Sequence, residues 1–158
     1  MSRKNLEIEN GVNYTASREQ TFTIIGNYKN PEGNPIPYQR LTQMTKRYAR
    51  GEKYATWKAY VAKSFIDSLE RNERNAYERN IALTGKPITV ENHETATIEI
   101  TNHFKGQSHG DPDNILKGII DALFADDKYC DGATHSTFCT KSGLVIVKIT
   151  IYEYEQWK

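Results

Sequence analysis

The chain has 158 residues, of which 21 are Lys or Arg, 20 are Asp or Glu and 37% are apolar. This length fits one domain, and a chain of this size buries enough surface to fold without a disulfide or a structural metal. The charged fraction of 26% and the aromatic fraction of 11% exclude a disordered tail. We therefore expect residues 1–158 to form a single domain, with residues 1–20 as a flexible N-terminal segment.

The net charge of +1 conceals two halves of opposite sign. Residues 1–90 carry 15 Lys+Arg against 9 Asp+Glu, a balance of +6, whereas residues 91–158 carry 6 against 11, a balance of −5. Such asymmetry is typical of proteins that bind a polyanion, although chance clustering on solvated faces explains the charge counts equally well. A total near zero therefore does not exclude nucleic acid as a partner.

Signals for secretion or membrane insertion do not occur in this sequence. No apolar run approaches the roughly 18 residues that cross a bilayer, and the first residues, MSRKNLEIEN, are polar. The two cysteines, Cys130 and Cys139, do not form a C-x-x-C pair and are interpreted as reduced thiols. These features predict a cytoplasmic protein without a membrane partner.

The first half of the chain predicts a strand, a loop and a helix. Residues 21–28, TFTIIGNY, are β-branched and aromatic, as in a strand, and the Asn- and Pro-rich residues 30–35 interrupt it. A helix is predicted from Tyr54, because Trp57, Val61, Phe65 and Leu69 recur every four residues. It is expected to continue through the polar RNERNAYERN until Gly85 and Pro87 stop it.

The second half predicts three strands and a clearly marked helix. Residues 96–100 alternate between apolar and polar side chains, as in a half-buried strand. Asp111 is a good N-cap before Pro112, and the helix that they begin has the apolar face Ile115, Leu116, Ile119, Ile120, Leu123 and Phe124. Strands follow at 134–141 and 144–152, and Ser142-Gly143 between them suggests a hairpin. The order β-α-β-α-β-β predicts an α+β domain with a mixed sheet.

The tract GDPDNILK, residues 110–117, carries the strongest chemical signal. Asp111 and Asp113 flank a proline at a helix start, and Lys117 lies on the same face as Asp113. Mg²⁺ prefers carboxylate oxygens, and an adjacent lysine can neutralise charge that develops on a phosphodiester. The alternative is an ordinary acidic helix start with a surface Asp–Lys pair.

These residues resemble the signature of the RusA family of Holliday-junction resolvases. That pattern is D-x-D-N-L-x-K with an aspartate four residues after the lysine, and this chain matches it at Asp111, Asp113, Asn114, Lys117 and Asp121. The resemblance covers residues 94–152 well and the N-terminal half loosely. We interpret Asp121 as a structural helix residue and not as a metal ligand.

The family pattern continues with a further essential aspartate and a lysine ten residues beyond it. An ungapped comparison assigns these positions to Asp131 and Lys141, with Cys130 in place of the first member of the family's Asp-Asp pair. Asp126-Asp127 is the alternative pair, but using it requires a four-residue deletion. We therefore favour Asp131.

The resemblance implies a Mg²⁺-dependent endonuclease that cuts four-way DNA junctions, with Mn²⁺ as a substitute ion. Asp111, Asp113 and Asp131 are then the metal ligands, and Lys117 completes the catalytic set. Two symmetric cuts need two active sites, which a homodimer supplies.

The basic half then becomes the DNA-binding surface. Its densest cluster is Arg40, Lys46, Arg47, Arg50 and Lys53, interleaved with aromatic residues, and we expect Arg40, Lys46, Arg47, Arg50 and Lys141 to contact DNA.

Two other functions remain open. A protein that binds branched nucleic acid without cutting it would share the basic half but not the metal chemistry. Cys130, His135 and Cys139, with His103 or His109 as a fourth ligand, also form a weak zinc pattern, since structural zinc sites usually have closer cysteines.

Overall fold

The computed structural model describes residues 13–39 and 49–155, which form a four-stranded sheet with helices packed against one face. The elements in chain order are β1 Asn13–Ile25, α1 Ala49–Ser68, α2 Arg71–Thr84, β2 Glu94–Lys105, α3 Pro112–Leu123, β3 Cys130–Thr140 and β4 Leu144–Glu155. This architecture confirms the predicted α+β class. No helix in the described ranges has the length and apolar character needed to span a membrane.

The strands lie in the order β1-β4-β2-β3. Strand β4 is antiparallel to both β1 and β2, whereas β2 and β3 are parallel. The predicted hairpin at Ser142-Gly143 is wrong, because β2 lies between β3 and β4. The parallel strands β2 and β3 need a long crossover, which contains α3. The short connection from β3 to β4 passes the end of β2. Gly143 contacts the loop after β1, where its N–H donates to the Glu32 carbonyl at 2.8 Å.

Strand β1 begins earlier than the apolar pattern suggests. The register with β4 runs from Asn13 opposite Glu155 to Ile25 opposite Leu144, and Gly26, with φ of 56°, ends the strand. Residues 13–20, expected in a flexible segment, therefore belong to the sheet. The sequence pattern did not predict this part of the strand, because residues 13–20 are of mixed polarity and only Phe22 and Ile24 of β1 are buried under α1.

The predicted long helix is two helices. The ridge Trp57, Val61, Phe65 and Leu69 is buried as expected, but α1 begins at Ala49 and ends at Ser68. Glu70 has an extended backbone, with ψ of 149°, and α2 starts after it. Helix α2 ends at Thr84, and Gly85 caps it with a φ of 82°, which confirms the predicted stop.

Helix α3 runs antiparallel to β2 and carries the central core residues. Ile115, Ile119 and Leu123 are buried in the same core as the inward-facing residues of β2, which alternate with less buried ones as predicted. The end of α3 lies beside the segment before β2, since the Ile88 N–H donates to the Leu123 carbonyl at 2.9 Å. Twelve helical residues span about 18 Å, so the two ends of α3 lie near opposite ends of the sheet.

Candidate active site

The start of α3 presents two exposed carboxylates. Asp111 is the N-cap, as predicted: its Oδ1 accepts hydrogen bonds from the N–H groups of Asp113 at 2.8 Å and Asn114 at 3.3 Å. Pro112 occupies the first turn, where its missing N–H costs nothing. In residues 13–39 and 49–155, neither Asp111 nor Asp113 forms an ion pair with a basic side chain. Both carboxylates are therefore open to an external cation.

Lys117 lies one turn after Asp113 but does not pair with it. Its side chain is exposed, and Nζ lies 4.2 Å from the centre of the Tyr38 ring. An aromatic face attracts a cation without neutralising it. The ammonium group thus keeps its hydrogen-bond donors for another partner, such as a phosphate.

The loop between β1 and α1 fixes the segment that leads into α3. The Asn34 amide donates to the carbonyls of Lys105 and Ser108, both at 2.9 Å, and accepts from the Lys105 N–H at 2.7 Å. Further along, the Tyr38 N–H donates to the Asn114 carbonyl at 3.0 Å. Residues 34–38 therefore tie the end of β2, the loop after it and the first turn of α3 together.

Asp121, at the other end of α3, is a structural residue, in agreement with its interpretation from sequence. The Tyr54 hydroxyl donates to its Oδ2 at 2.6 Å, and the ammonium groups of Lys58 and Lys86 lie 3.3 Å and 3.9 Å away. Burial alone would raise the pKa of the Asp121 carboxyl, but the hydrogen bond and the two cations outweigh it and lower that pKa. This aspartate joins α3 to α1 and to the segment before β2.

Asp131 lies apart from Asp111 and Asp113 within one chain. It is opposite Thr97 in the parallel pair of β2 and β3, near the end of the sheet where α3 finishes. Its neighbour Gly132 faces α3, because a Cβ there would lie 2.9 Å from Leu116. Asp131 therefore points to the opposite, uncovered face of the sheet.

The alternative pair Asp126-Asp127 is also distant from the start of α3. Asp126 caps a short turn, Asp127–Tyr129, that follows the end of α3 and leads into β3. Within the described ranges, the three-residue group whose potential metal-ligand atoms lie within 4.8 Å of one another is His93, Glu94 and Glu153. Within one chain, therefore, none of the predicted third carboxylates (Asp126, Asp127 or Asp131) lies close enough to Asp111 and Asp113 to share a metal ion with them.

The group at His93 already has an internal cation. The buried Glu94 carboxylate accepts from Arg18 at 3.1 Å and from the Glu91 N–H at 3.0 Å. Since Arg18 neutralises the one buried carboxylate, this group is explained as a structural ion pair at the far end of the sheet.

The residues of the weak zinc pattern do not come together. Cys130 faces the core and His135 faces the uncovered side, where its Nε2 lies 3.7 Å from Glu99. Burial, together with the carboxylates of Asp131 and Asp127, raises the pKa of the Cys130 thiol to about 12. Because Cys130 and His135 lie on opposite faces of the sheet, they do not share a zinc ion.

The predicted DNA-binding residues are only partly described. Arg40, Lys46 and Arg47 lie outside the described residues, and Arg50 is in the first turn of α1. Lys141 is exposed directly after β3, at the end of the sheet where α3 begins, since Thr140 lies opposite Lys105. One cation of the predicted surface is thus near the start of α3.

An aromatic stack beside the start of α3 was not predicted from the sequence. The rings of Phe104 and His109 are parallel, with centres 4.0 Å apart, and Phe138 stacks on Phe104 at 5.7 Å. Phe138 is 54% exposed. The three residues are spread over 35 positions of the sequence and form no periodic pattern. Their contact therefore becomes visible only once β2 and β3 are paired.

Comparison with known proteins places α3 within a region that matches a protein-family model. The family model described as endodeoxyribonuclease RusA matches residues 31–150, which includes the part of the N-terminal half from residue 31 onward. A comparison with curated proteins finds no match. The matched range contains the whole of α3, the loop that anchors it and both strands β2 and β3. This chain therefore belongs to the RusA endodeoxyribonuclease family.

Proposed function

We propose that this protein is a Mg²⁺-dependent endonuclease that cuts four-way DNA junctions. The observation that carries the proposal is the pair of exposed carboxylates, Asp111 and Asp113, at the positive end of α3, with Lys117 one turn away and its ammonium group over the Tyr38 ring. Membership of the RusA family supports the class of reaction. The +6 balance of residues 1–90 supports DNA as the substrate.

The donor set at the start of α3 fits a hard divalent cation. Mg²⁺ takes one or two carboxylates from a protein and completes its coordination with water and phosphate oxygens. Asp113 and the second oxygen of Asp111 are available for this, with Mn²⁺ as a substitute ion that prefers the same donors. The chemistry that such an ion supplies is activation of water and neutralisation of charge on the scissile phosphate.

The chain's own residues orient this chemistry. Asp111 fixes the first turn of α3 through its two backbone hydrogen bonds, so both carboxylates have defined positions. Lys117 neutralises charge that develops on the phosphodiester as the bond breaks. The backbone carbonyl of Asn114 accepts a hydrogen bond from the Tyr38 N–H and so holds the first turn of α3 in place. We assign Asn114 no part in the reaction itself.

The third carboxylate, Asp131, requires a second chain in our proposal. One chain keeps Asp131 on the uncovered face of the sheet, away from Asp111 and Asp113. In a homodimer, Asp131 of the partner subunit completes the carboxylate set, and the two-fold symmetry creates two equivalent sites. Two sites are what a pair of symmetric cuts across a junction needs.

The basic half binds the backbone of the junction arms. Arg40, Lys46, Arg47 and Arg50 follow Tyr38 in the chain, and Tyr38 contacts α3. Lys141 adds a cation at the same end of the sheet. We propose that these residues guide the phosphates towards Asp111 and Asp113, and that the protein acts in the cytoplasm.

A synthetic four-way junction tests the proposal. Incubated with the protein and Mg²⁺, it should yield paired nicks, and chelation of the metal should stop the reaction. Linear duplex of the same sequence is the matched substrate control and should be cut far more slowly. Intact strands, in a sample where a known nuclease is active, would contradict the proposal.

The alternative is a protein that binds branched nucleic acid without cutting it. The basic half favours this function as much as the first. It predicts junction binding that weakens steeply with salt, together with no metal-dependent product.

A further inference from the structure

We propose that Tyr38 is a positioning residue for Lys117, holding the ammonium group of this lysine in a fixed place, one helical turn after Asp113, in readiness for a phosphate. This inference deepens the proposed function and rests on it. The Nζ atom of Lys117 lies 4.2 Å from the centre of the Tyr38 ring, well within the range in which a cation is attracted to an aromatic face.

The lysine depends on this contact for a fixed position. Its side chain is exposed, and among the ion pairs of the described residues none includes it. A free lysine side chain samples many rotamers, and ordering it costs entropy. The Tyr38 ring restricts these rotamers before substrate arrives.

The ring is itself fixed from two sides. The Tyr38 N–H donates to the Asn114 carbonyl at 3.0 Å, which anchors its backbone to the first turn of α3. Its ring meets that of Tyr54 edge-on, with centres 5.5 Å apart and planes at 76°. Gly118 packs against both residues, since a Cβ there would lie 3.4 Å from the Tyr38 backbone nitrogen and 3.4 Å from the Tyr54 ring.

An aromatic partner suits a lysine that must bind phosphate. A carboxylate at this place would neutralise the ammonium group and compete with the substrate for it. The ring attracts the cation weakly and occupies none of its three N–H donors. Tyr38 therefore orders Lys117 while leaving its charge and its donors to the reaction.

A double-mutant cycle tests this role through single-turnover cleavage of a four-way junction. Tyr38→Leu should slow cleavage roughly tenfold, equivalent to about 1.4 kcal/mol, with junction affinity in the absence of divalent ions changed less than about twofold. Tyr38→Phe and Tyr38→Trp should restore the rate, since both keep an aromatic face. In a Lys117→Met background, Tyr38→Leu should cause no additional loss.

Tyr77→Leu is the matched control, because Tyr77 is also a partly buried tyrosine with an edge-on neighbour, Phe65, but lies on α2. Any effect it has on rate should be the same with and without Lys117. An equal loss from Tyr38→Leu in both backgrounds, or a Tyr38→Phe protein as slow as Tyr38→Leu, would overturn the positioning role.

A spectroscopic arm separates this proposal from the function on which it rests. The ring current of Tyr38 should shift the ε-methylene NMR signal of Lys117 upfield in the wild type and in Tyr38→Phe. The signal is assigned by its loss in Lys117→Met. An unshifted wild-type signal overturns the proposal, even if Tyr38→Leu fails to fold. A shifted signal in a protein that cuts no junction instead overturns the proposed function and, with it, the catalytic purpose of the contact.

Discussion

The two ends of helix α3 carry aspartates in opposite situations. Asp121, near the last turn, has a side chain 40% exposed and receives a hydroxyl and two ammonium groups. Asp111 and Asp113, at the first turn, are exposed, and in the described ranges no basic side chain pairs with them. One helix thus contains a carboxylate that is paired with basic side chains and two carboxylates that are paired with none of those described.

This difference in pairing suits the aspartates at the two ends of α3 to different roles, one in stability and the other in function. A carboxylate held by internal cations strengthens the fold, and its loss exposes unpaired charges in a half-buried place. Apart from the capping hydrogen bonds of Asp111, a carboxylate without internal cations contributes little to the fold, since its charge remains in water. Its charge is available to an external ion, and this is the property that we assign to the start of α3.

The sharpest test of the first turn concerns how two chains share one site. Asp113→Asn and Asp131→Asn should each lose cleavage by roughly 10²-fold or more. If Asp131 completes the site of the partner subunit, mixed dimers of the two variants contain one intact site. Equal mixing with subunit exchange should then restore about a quarter of the sites.

Asp127→Asn is the control for the mixing experiment, because Asp127 lies in the neighbouring turn and is exposed. It should cut at the wild-type rate. A mixture that stays inactive would contradict the shared site, and full activity in Asp131→Asn would remove this residue from the metal ligands.

At the last turn, the expected effect is on stability. Asp121→Asn should lower the free energy of unfolding by about 1–2 kcal/mol, as measured by urea denaturation, because Tyr54, Lys58 and Lys86 lose their common partner. Asp67→Asn is the matched control: it removes an exposed pair with Lys63, worth only about 0.3–0.5 kcal/mol. Equal effects from the two substitutions would show that the Asp121 cluster is no stronger than a surface pair.

A smaller effect appears when this stability is followed against pH. The pKa of the Asp121 carboxyl is lower in the folded protein than in the unfolded chain. Its contribution is therefore complete above the ordinary value of about 4 and is lost as the pH falls through the lowered folded value. The difference in unfolding free energy between wild type and Asp121→Asn should shrink on acidification from pH 6 to pH 3. A difference that grows over this range would reverse the assigned direction.

Local patterns in the sequence predict the parts of the fold that local physics determines. The capping of α3 by Asp111 and the buried ridge from Trp57 to Leu69 follow from capping chemistry and helical spacing. The alternation in β2 follows in the same way. Each of these features is encoded within about fifteen consecutive residues.

Non-local pairing escaped prediction. The predicted two-residue connection Ser142-Gly143 favours a hairpin of β3 with β4. In the structure β3 instead pairs with β2, because the crossover through α3 makes these two strands parallel. Asp131 lies on the uncovered face of the sheet, although the resemblance to the RusA family implied that it binds the same metal as Asp111 and Asp113. The contact of Tyr38 with Lys117 joins positions far apart in the chain, and no pattern around either residue announces it.

We propose that the exposed aspartates at the start of α3 carry the reaction, whereas the paired aspartate at its end stabilises the fold. The most direct measurement is cleavage of a four-way junction by Asp113→Asn and Asp121→Asn, side by side, under conditions where both are folded. We predict that Asp113→Asn is folded and binds the junction but does not cut it, whereas Asp121→Asn cuts at a rate close to that of the wild type. An Asp113→Asn protein that cuts as fast as the wild type would contradict the account.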